Sequence, residues 1–147
     1  MASGSDGGGS IRIPAGFCGL VGMKGTYGRI PRGPMTAIGP NTVVLGCLAR
    51  SVRDVARYYD VCCGYDSRDP TSLLSAGACQ RTLDTHDLAG LRVAVAPSLG
   101  HAVLLPAVEQ AVLDAAATLV RAAGLRVVDV PVALPGLGVE WALANMA

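Results

Sequence analysis

Residues 4–29 read Gly4-Ser5-Asp6-Gly7-Gly8-Gly9-Ser10-Ile11-Arg12-Ile13-Pro14-Ala15-Gly16-Phe17-Cys18-Gly19-Leu20-Val21-Gly22-Met23-Lys24-Gly25-Thr26-Tyr27-Gly28-Arg29. Three glycines run directly into a serine. Without a Cβ, a glycine backbone approaches a ligand closely and reaches φ > 0. Successive N–H groups in such a run can converge on one negative oxygen, as an oxyanion hole requires. A serine ending the run stands where a nucleophile is wanted. The stretch therefore reads as a loop able to attack a carbonyl and hold the resulting oxyanion.

Two plainer readings compete. A Gly/Ser-rich segment is usually a flexible spacer, but Asp6 and the continuation Ile11-Arg12-Ile13-Pro14-Ala15 argue against one. A phosphate cradle is the other reading. Neither G-x-x-x-x-G-K-[ST] nor a strand followed by G-x-G-x-x-G is present to support it.

The length and order of the block resemble the amidase signature family, whose hallmark runs roughly G-[ST]-D-x-G-G-S-I-R-x-P-A-x-x-C-G-x-x-G-x-K-P-T-x-G-R. Two positions depart from it. Gly7 stands where the family often has threonine or another side chain, and Gly25 where it usually has proline. Two later stretches extend the resemblance. Leu48-Ala49-Arg50-Ser51-Val52-Arg53-Asp54-Val55-Ala56 is similar to the family's R-[ST]-V-x-D-x-A segment. Gly64-Tyr65-Asp66-Ser67-Arg68-Asp69-Pro70-Thr71-Ser72 is similar to its G-x-D-x-x-D-P-T-S turn.

The resemblance implies an α/β fold, part of the amidase signature fold, with a mixed sheet flanked by helices. It implies a hydrolase that cleaves a carboxamide C–N bond with a Ser–cis-Ser–Lys triad, with no cofactor and no metal. Ser10 matches the nucleophile, and Gly7, Gly8, Gly9 and Ser10 match the backbone donors around the substrate oxygen. The family's lysine and middle serine lie upstream of the glycine loop, whereas nine residues precede Ser10 here. Ser3 and Ser5 are too near Ser10 along the chain for the middle serine. Lys24, the lone lysine, belongs to the G-x-K-x-T part of the signature and reads as structural. The expectation is a middle fragment of a bacterial-type amidase, residues 1–147 forming a partial domain. Its parts are the signature loop 4–29, a pocket-side loop 29–46 and a βαβ unit 91–130. Such a fragment would be weak or inactive alone, acting on a small-molecule amide. The alternatives are a protein like the A-subunit of a glutamine-dependent aminoacyl-tRNA amidotransferase, and a non-catalytic remnant. Such A-subunits commonly carry glutamine after Ser-Ile-Arg, where this chain has Ile13.

Composition bounds the rest. Of 147 residues, 51% are hydrophobic and 16% charged, and the mean hydropathy is +0.44. That is apolar for a domain of this size. A net charge of +1 indicates no general attraction to nucleic acid or anionic membrane. No secretory signal and no bilayer-length apolar run are visible, so a cytoplasmic protein is expected. The five cysteines, Cys18, Cys47, Cys62, Cys63 and Cys79, form no C-x-x-C pair. They read as buried and reduced. His86 and His101 read as loop or surface residues.

Local patterns place the elements. A short helix is expected over Ser10–Gly19, with Pro14 in its first turn and its N-terminal dipole toward the glycine loop. Leu20–Thr26 reads as extended. Asp6 and Arg12 flank the loop with opposite charge, either as a bracing pair or as two solvated residues. Arg29–Gly46 is a Gly/Pro-rich loop, with Met35 and Ile38 as anchors or pocket lining. Ser51 caps a helix to Cys63, with Val52, Val55, Ala56, Tyr59 and Cys63 on one face. Asp66 and Asp69 read as turn formers rather than an acid–base pair. Ser75–Asp87 reads as a surface connection. Leu91–Ala96 and Leu125–Val130 read as parallel strands joined by a helix Pro106–Ala123. Val108, Ala111, Val112, Ala115, Leu119 and Ala122 form that helix's apolar face.

Overall fold

The computed structural model describes residues 1–33, 42–75 and 77–146. The chain divides into two compact units, Met1–Thr85 with the end of the chain from Leu143, and His86–Ala142.

The first unit is built on three short strands, β1 (Ala2–Asp6), β2 (Val21–Lys24) and β3 (Val44–Ala49). They form an antiparallel sheet in the order β1-β3-β2. The loop expected over 29–46 therefore ends earlier, because Val44 to Gly46 are already in the central strand. Met35 and Ile38 lie outside the described residues. Nothing in the sequence announces β1: Ala2-Ser3-Gly4-Ser5 has no strand-like pattern, and its strand form comes from pairing with β3.

Register decides where the loop sits. Asp6 pairs with Val44, and Lys24 pairs with Gly46. Both residues thus meet the same end of β3 from opposite sides. Helix α1 (Arg12–Phe17) follows the glycine turn and is shorter than the expected span. Ile11 and Ala15 bury its inner side, at 0% and 2% exposure, while Phe17 stays exposed.

Helix α2 (Val52–Cys62) begins as its sequence dictates. The Ser51 hydroxyl accepts the Asp54 N–H at 3.1 Å, an N-cap that satisfies one orphan donor of the first turn. Val55, Ala56 and Tyr59 are buried, but Val52 from the expected stripe is exposed. The core gathers Ile30, Cys47, Ala49, Val55 and Tyr59, with Cys62, Cys63 and Cys79 packed against it. Those four cysteines are free and wholly or partly buried. Cys18 is free and exposed, contrary to the expectation of burial.

The connection after the turn carries a short helix, α3 (Cys79–Thr82), where only a surface link was expected. Its first N–H groups, of Cys79 and Gln80, donate to the Asp60 carboxylate of α2 at 2.6 and 3.0 Å. The turn itself forms as read. Asp69, 1% exposed, accepts the Arg32 N–H at 2.8 Å and the N–H and hydroxyl of Thr71 at 2.9 and 2.7 Å. Asp66 pairs with Arg68 at 2.7 Å. Both carboxylates are engaged in holding the turn.

In the second unit, β4 (Arg92–Val93) pairs in parallel with β5 (Arg126–Val127), and α4 (Pro106–Ala123) lies between them in sequence. The parallel βαβ order holds, but each strand is two residues long instead of six. Pro106 opens α4, and Gly124 ends it with φ +63°, its N–H donated to the Val120 carbonyl. No residue of α4 is buried. The expected face from Val108 to Ala122 is exposed, and the partly buried positions are Ala116, Val120 and Ala123. His86 and His101 are exposed, as expected. Helix α5 (Gly138–Met146), which carries no start or stop signal in the sequence, follows near the end of the chain.

Candidate functional site at the glycine turn

The turn from Gly7 to Ser10 is shaped by one carboxylate. Asp6, at the end of β1, is fully buried. Its oxygens accept the N–H of Gly9 at 2.7 Å and those of Ile11 and Arg12 at 3.3 Å each. The Arg12 guanidinium adds a two-pronged contact, Nε at 2.9 Å and Nη2 at 3.1 Å. The bracing pair of Asp6 and Arg12 therefore forms. Burying a carboxylate is costly unless it is paired and hydrogen-bonded, and here both oxygens have several donors. The Arg12 guanidinium beside Asp6, helped by the three backbone N–H groups, holds its carboxyl well below the usual carboxylate range despite burial.

This arrangement alters two expectations. The first N–H groups of α1 face Asp6, so the end of its dipole is directed at that carboxylate and not at the open side of the loop. The N–H of Gly9 is likewise engaged inward. Gly7, Gly8 and Ser10 have no side-chain acceptor for their N–H groups among the described residues. Ser10 is exposed, and no hydrogen bond holds its hydroxyl among the described residues.

Gly9 needs to be glycine for two reasons. Its φ is +130°, and a Cβ there would stand 2.6 Å from Cδ1 of Ile13. At Gly7 a Cβ would meet Cγ2 of Val43 at 3.0 Å. The side chain common at this position in the family would need Val43 to yield by a few tenths of an ångström.

Lys24 makes the backbone contacts that a structural role requires. Its Nζ donates to the backbone carbonyls of Asp6 and Thr42, at 2.5 and 2.6 Å, and lies 3.8 Å from the Asp6 carboxylate. It joins the start of the glycine turn to the segment entering β3. Sequence reading missed this bridge, and no local signal reveals it, since it depends on the register of β2 against β3. No cluster of three or more potential metal ligands occurs among the described residues, and no helix there is long and apolar enough to cross a membrane.

The chain matches the Amidase family over residues 1–147 and belongs to it. It is 44% identical over 115 residues to the A-subunit of glutamyl-tRNA(Gln) amidotransferase from Methanosarcina mazei, covering 78% of this chain and 24% of that protein. Among solved structures, it is similar to a bacterial aryl acylamidase of the amidase signature family. The TM-score is 0.72 and the identity 28%, over 86% of this chain and 26% of that one. The A-subunit of glutamyl-tRNA(Gln) amidotransferase from Thermotoga maritima gives a TM-score of 0.73 and 29% identity, over 86% of this chain and 27% of that one. The chain thus spans about a quarter of the length of the relatives it matches.

Proposed function

We propose that residues 4–29 are the nucleophile and oxyanion segment of a serine amidase that hydrolyses a carboxamide C–N bond. Ser10 Oγ attacks the carbonyl carbon, and the developing oxyanion is received by the N–H groups of Gly7, Gly8 and Ser10. The tetrahedral intermediate collapses with loss of ammonia or an amine, leaving an acyl-serine. Water then hydrolyses the ester, in reactions of the EC 3.5.1 type on linear amides. Gly9 contributes to the shape of the turn, since its own N–H is held by Asp6. The observation that carries this reading is the exposed Ser10 between two backbone N–H groups anchored by one buried carboxylate.

Ser10 needs a proton acceptor, and general-base help is worth ~10²–10⁴ in rate. Lys24 does not supply it, because its ammonium is engaged by two backbone carbonyls and lies beside Asp6. Within this reading, the acceptor comes from the serine–lysine pair that the family resemblance implies. The substrate is a small-molecule amide, and the protein is cytoplasmic.

A second reading has its own support. The 44% identity to the A-subunit of glutamyl-tRNA(Gln) amidotransferase favours a role like that subunit's, with protein partners. The experiment is mass spectrometry of the chain after exposure to a fluorophosphonate. Slow labelling confined to Ser10 and absent from Ser10→Ala supports the amidase chemistry, and equal labelling of Ser10→Ala refutes it. Hydrolysis of glutamine, compared with simple aliphatic and aryl amides, by a protein that includes this segment separates the two readings.

A further inference from the structure

We propose that Asp6 is a positioning residue for Ser10: its carboxylate clamps the backbone on both sides of the serine, so that the Ser10 hydroxyl and N–H are presented together to a bound amide. This rests on the reading of Ser10 as nucleophile.

Ser10 lies between Gly9 and Ile11, and both of their N–H groups donate to Asp6, to different oxygens of the carboxylate. The Gly9 carbonyl is held as well, by the Ile13 N–H at 2.8 Å. In a trans peptide the C=O and N–H point in opposite directions. With the Gly9 carbonyl drawn toward α1, the Ser10 N–H of the same peptide unit points away from the helix. With the Ile11 N–H drawn to Asp6, the next peptide unit is fixed too. The Asp6 carboxylate therefore fixes the N–H of the residue before the nucleophile and the peptide unit after it, while the Ile13 N–H holds the unit between.

The clamp is itself rigid. The carboxylate is closed off from solvent. It receives two charge-assisted bonds from Arg12 in a fork geometry that holds it in one plane. Lys24 secures the backbone of the same residue through the Asp6 carbonyl. A reacting group displaced by about 1 Å loses up to ~10²-fold in rate, so a nucleophile on an otherwise glycine-built turn depends on such a fixture.

The test follows fluorophosphonate labelling of the 147-residue chain by intact mass over hours. Two quantities are read, the rate constant of labelling and the final labelled fraction. Loss of folded molecules lowers the fraction, whereas loss of positioning lowers the rate of those that remain folded. Asp6→Asn keeps the side-chain volume but presents an NH₂ group to backbone donors. It is expected to slow labelling at least ~10-fold with the labelled fraction retained. A reduced fraction at an unchanged rate assigns Asp6 a purely structural role and overturns the proposal. Should Asp6→Asn fail to fold by circular dichroism, Arg12→Lys replaces it, since it keeps the charge and loses the fork. It is expected to slow labelling about 3-fold or more, and an unchanged rate overturns the proposal. Ser10→Ala runs alongside. If it labels like the wild type, the nucleophile reading fails and takes this proposal with it. If it is silent while the Asp6 and Arg12 variants keep the wild-type rate, only the positioning role fails.

Discussion

The Tyr59 hydroxyl occupies the space that a side chain on Gly25 would fill: a Cβ built on Gly25 overlaps Tyr59 Oη and crowds Cζ at 2.6 Å. Gly25 is the position where the family usually has proline. Tyr59, on the buried side of α2, lies in the core cluster. In this packing the proline ring and the tyrosine exclude one another. The departure at position 25 is thus matched across the fold by the residue that takes up its room.

Gly25→Ala is expected to destabilise the chain by about 2 kcal/mol or more, the range of an overpacked core site. In a Tyr59→Leu background the same change is expected to cost much less. A double-mutant cycle from urea midpoints measures the coupling. Additive effects would show that the two sites do not share this space.

Tyr59 Oη is buried without a hydrogen-bond partner among the described residues. An unsatisfied buried polar group costs about 1–3 kcal/mol. Tyr59→Phe is therefore expected to leave stability unchanged or raise it by about 1 kcal/mol, read from the shift in urea midpoint. A loss above about 1 kcal/mol would mean that the hydroxyl has a partner.

Burial pushes the Tyr59 phenol up to about 12. The neutral form is the one the fold favours. Its contribution is present in full below the unfolded value of about 10, and it is lost as pH rises from there toward 12. The wild type should lose stability over that window more steeply than Tyr59→Phe. Asp6 acts with the opposite sign. Its folded pKa is depressed, so its contribution is present above the unfolded value of about 3.9 and declines as pH falls below it. Asp6→Asn should flatten that acid limb in a pH titration of the urea midpoint.

Lys24→Met removes the bridge between the Asp6 and Thr42 carbonyls. The expected result is a loss of roughly 1.5–3 kcal/mol, the worth of hydrogen bonds to a charged group. Labelling at Ser10 should slow but persist. A silence equal to that of Ser10→Ala would give Lys24 a chemical role instead.

Helix α4 buries none of its 18 residues. Leu113 and Leu119 on it, and Val127 in β5, all stand more than 40% exposed. Apolar surface on this scale promotes association. The chain alone is expected to bind ANS strongly and to associate with rising concentration in sedimentation. A reversible two-state melt of a monomer with no ANS signal would contradict this.

Much of this protein was legible in its residues because the physics there is local. Ser51 caps a helix through its own hydroxyl, Pro106 and Gly124 bracket another, and Asp66 and Asp69 turn the chain with their own side chains. The order of the signature block supplied Ser10, Gly7, Gly8 and Gly9 as candidates and set Lys24 apart from them. What lay beyond reach was long-range. Ala2–Asp6 became a strand only because β3 pairs with it, and Lys24 reached the Asp6 carbonyl only because β2 and β3 share a particular register. The turning inward of the Gly9 N–H, the overlap of Tyr59 with position 25 and the exposed face of α4 likewise came from tertiary structure. Each depends on which surfaces meet, and a sequence pattern records a residue's periodicity but not the partner that periodicity brings against it.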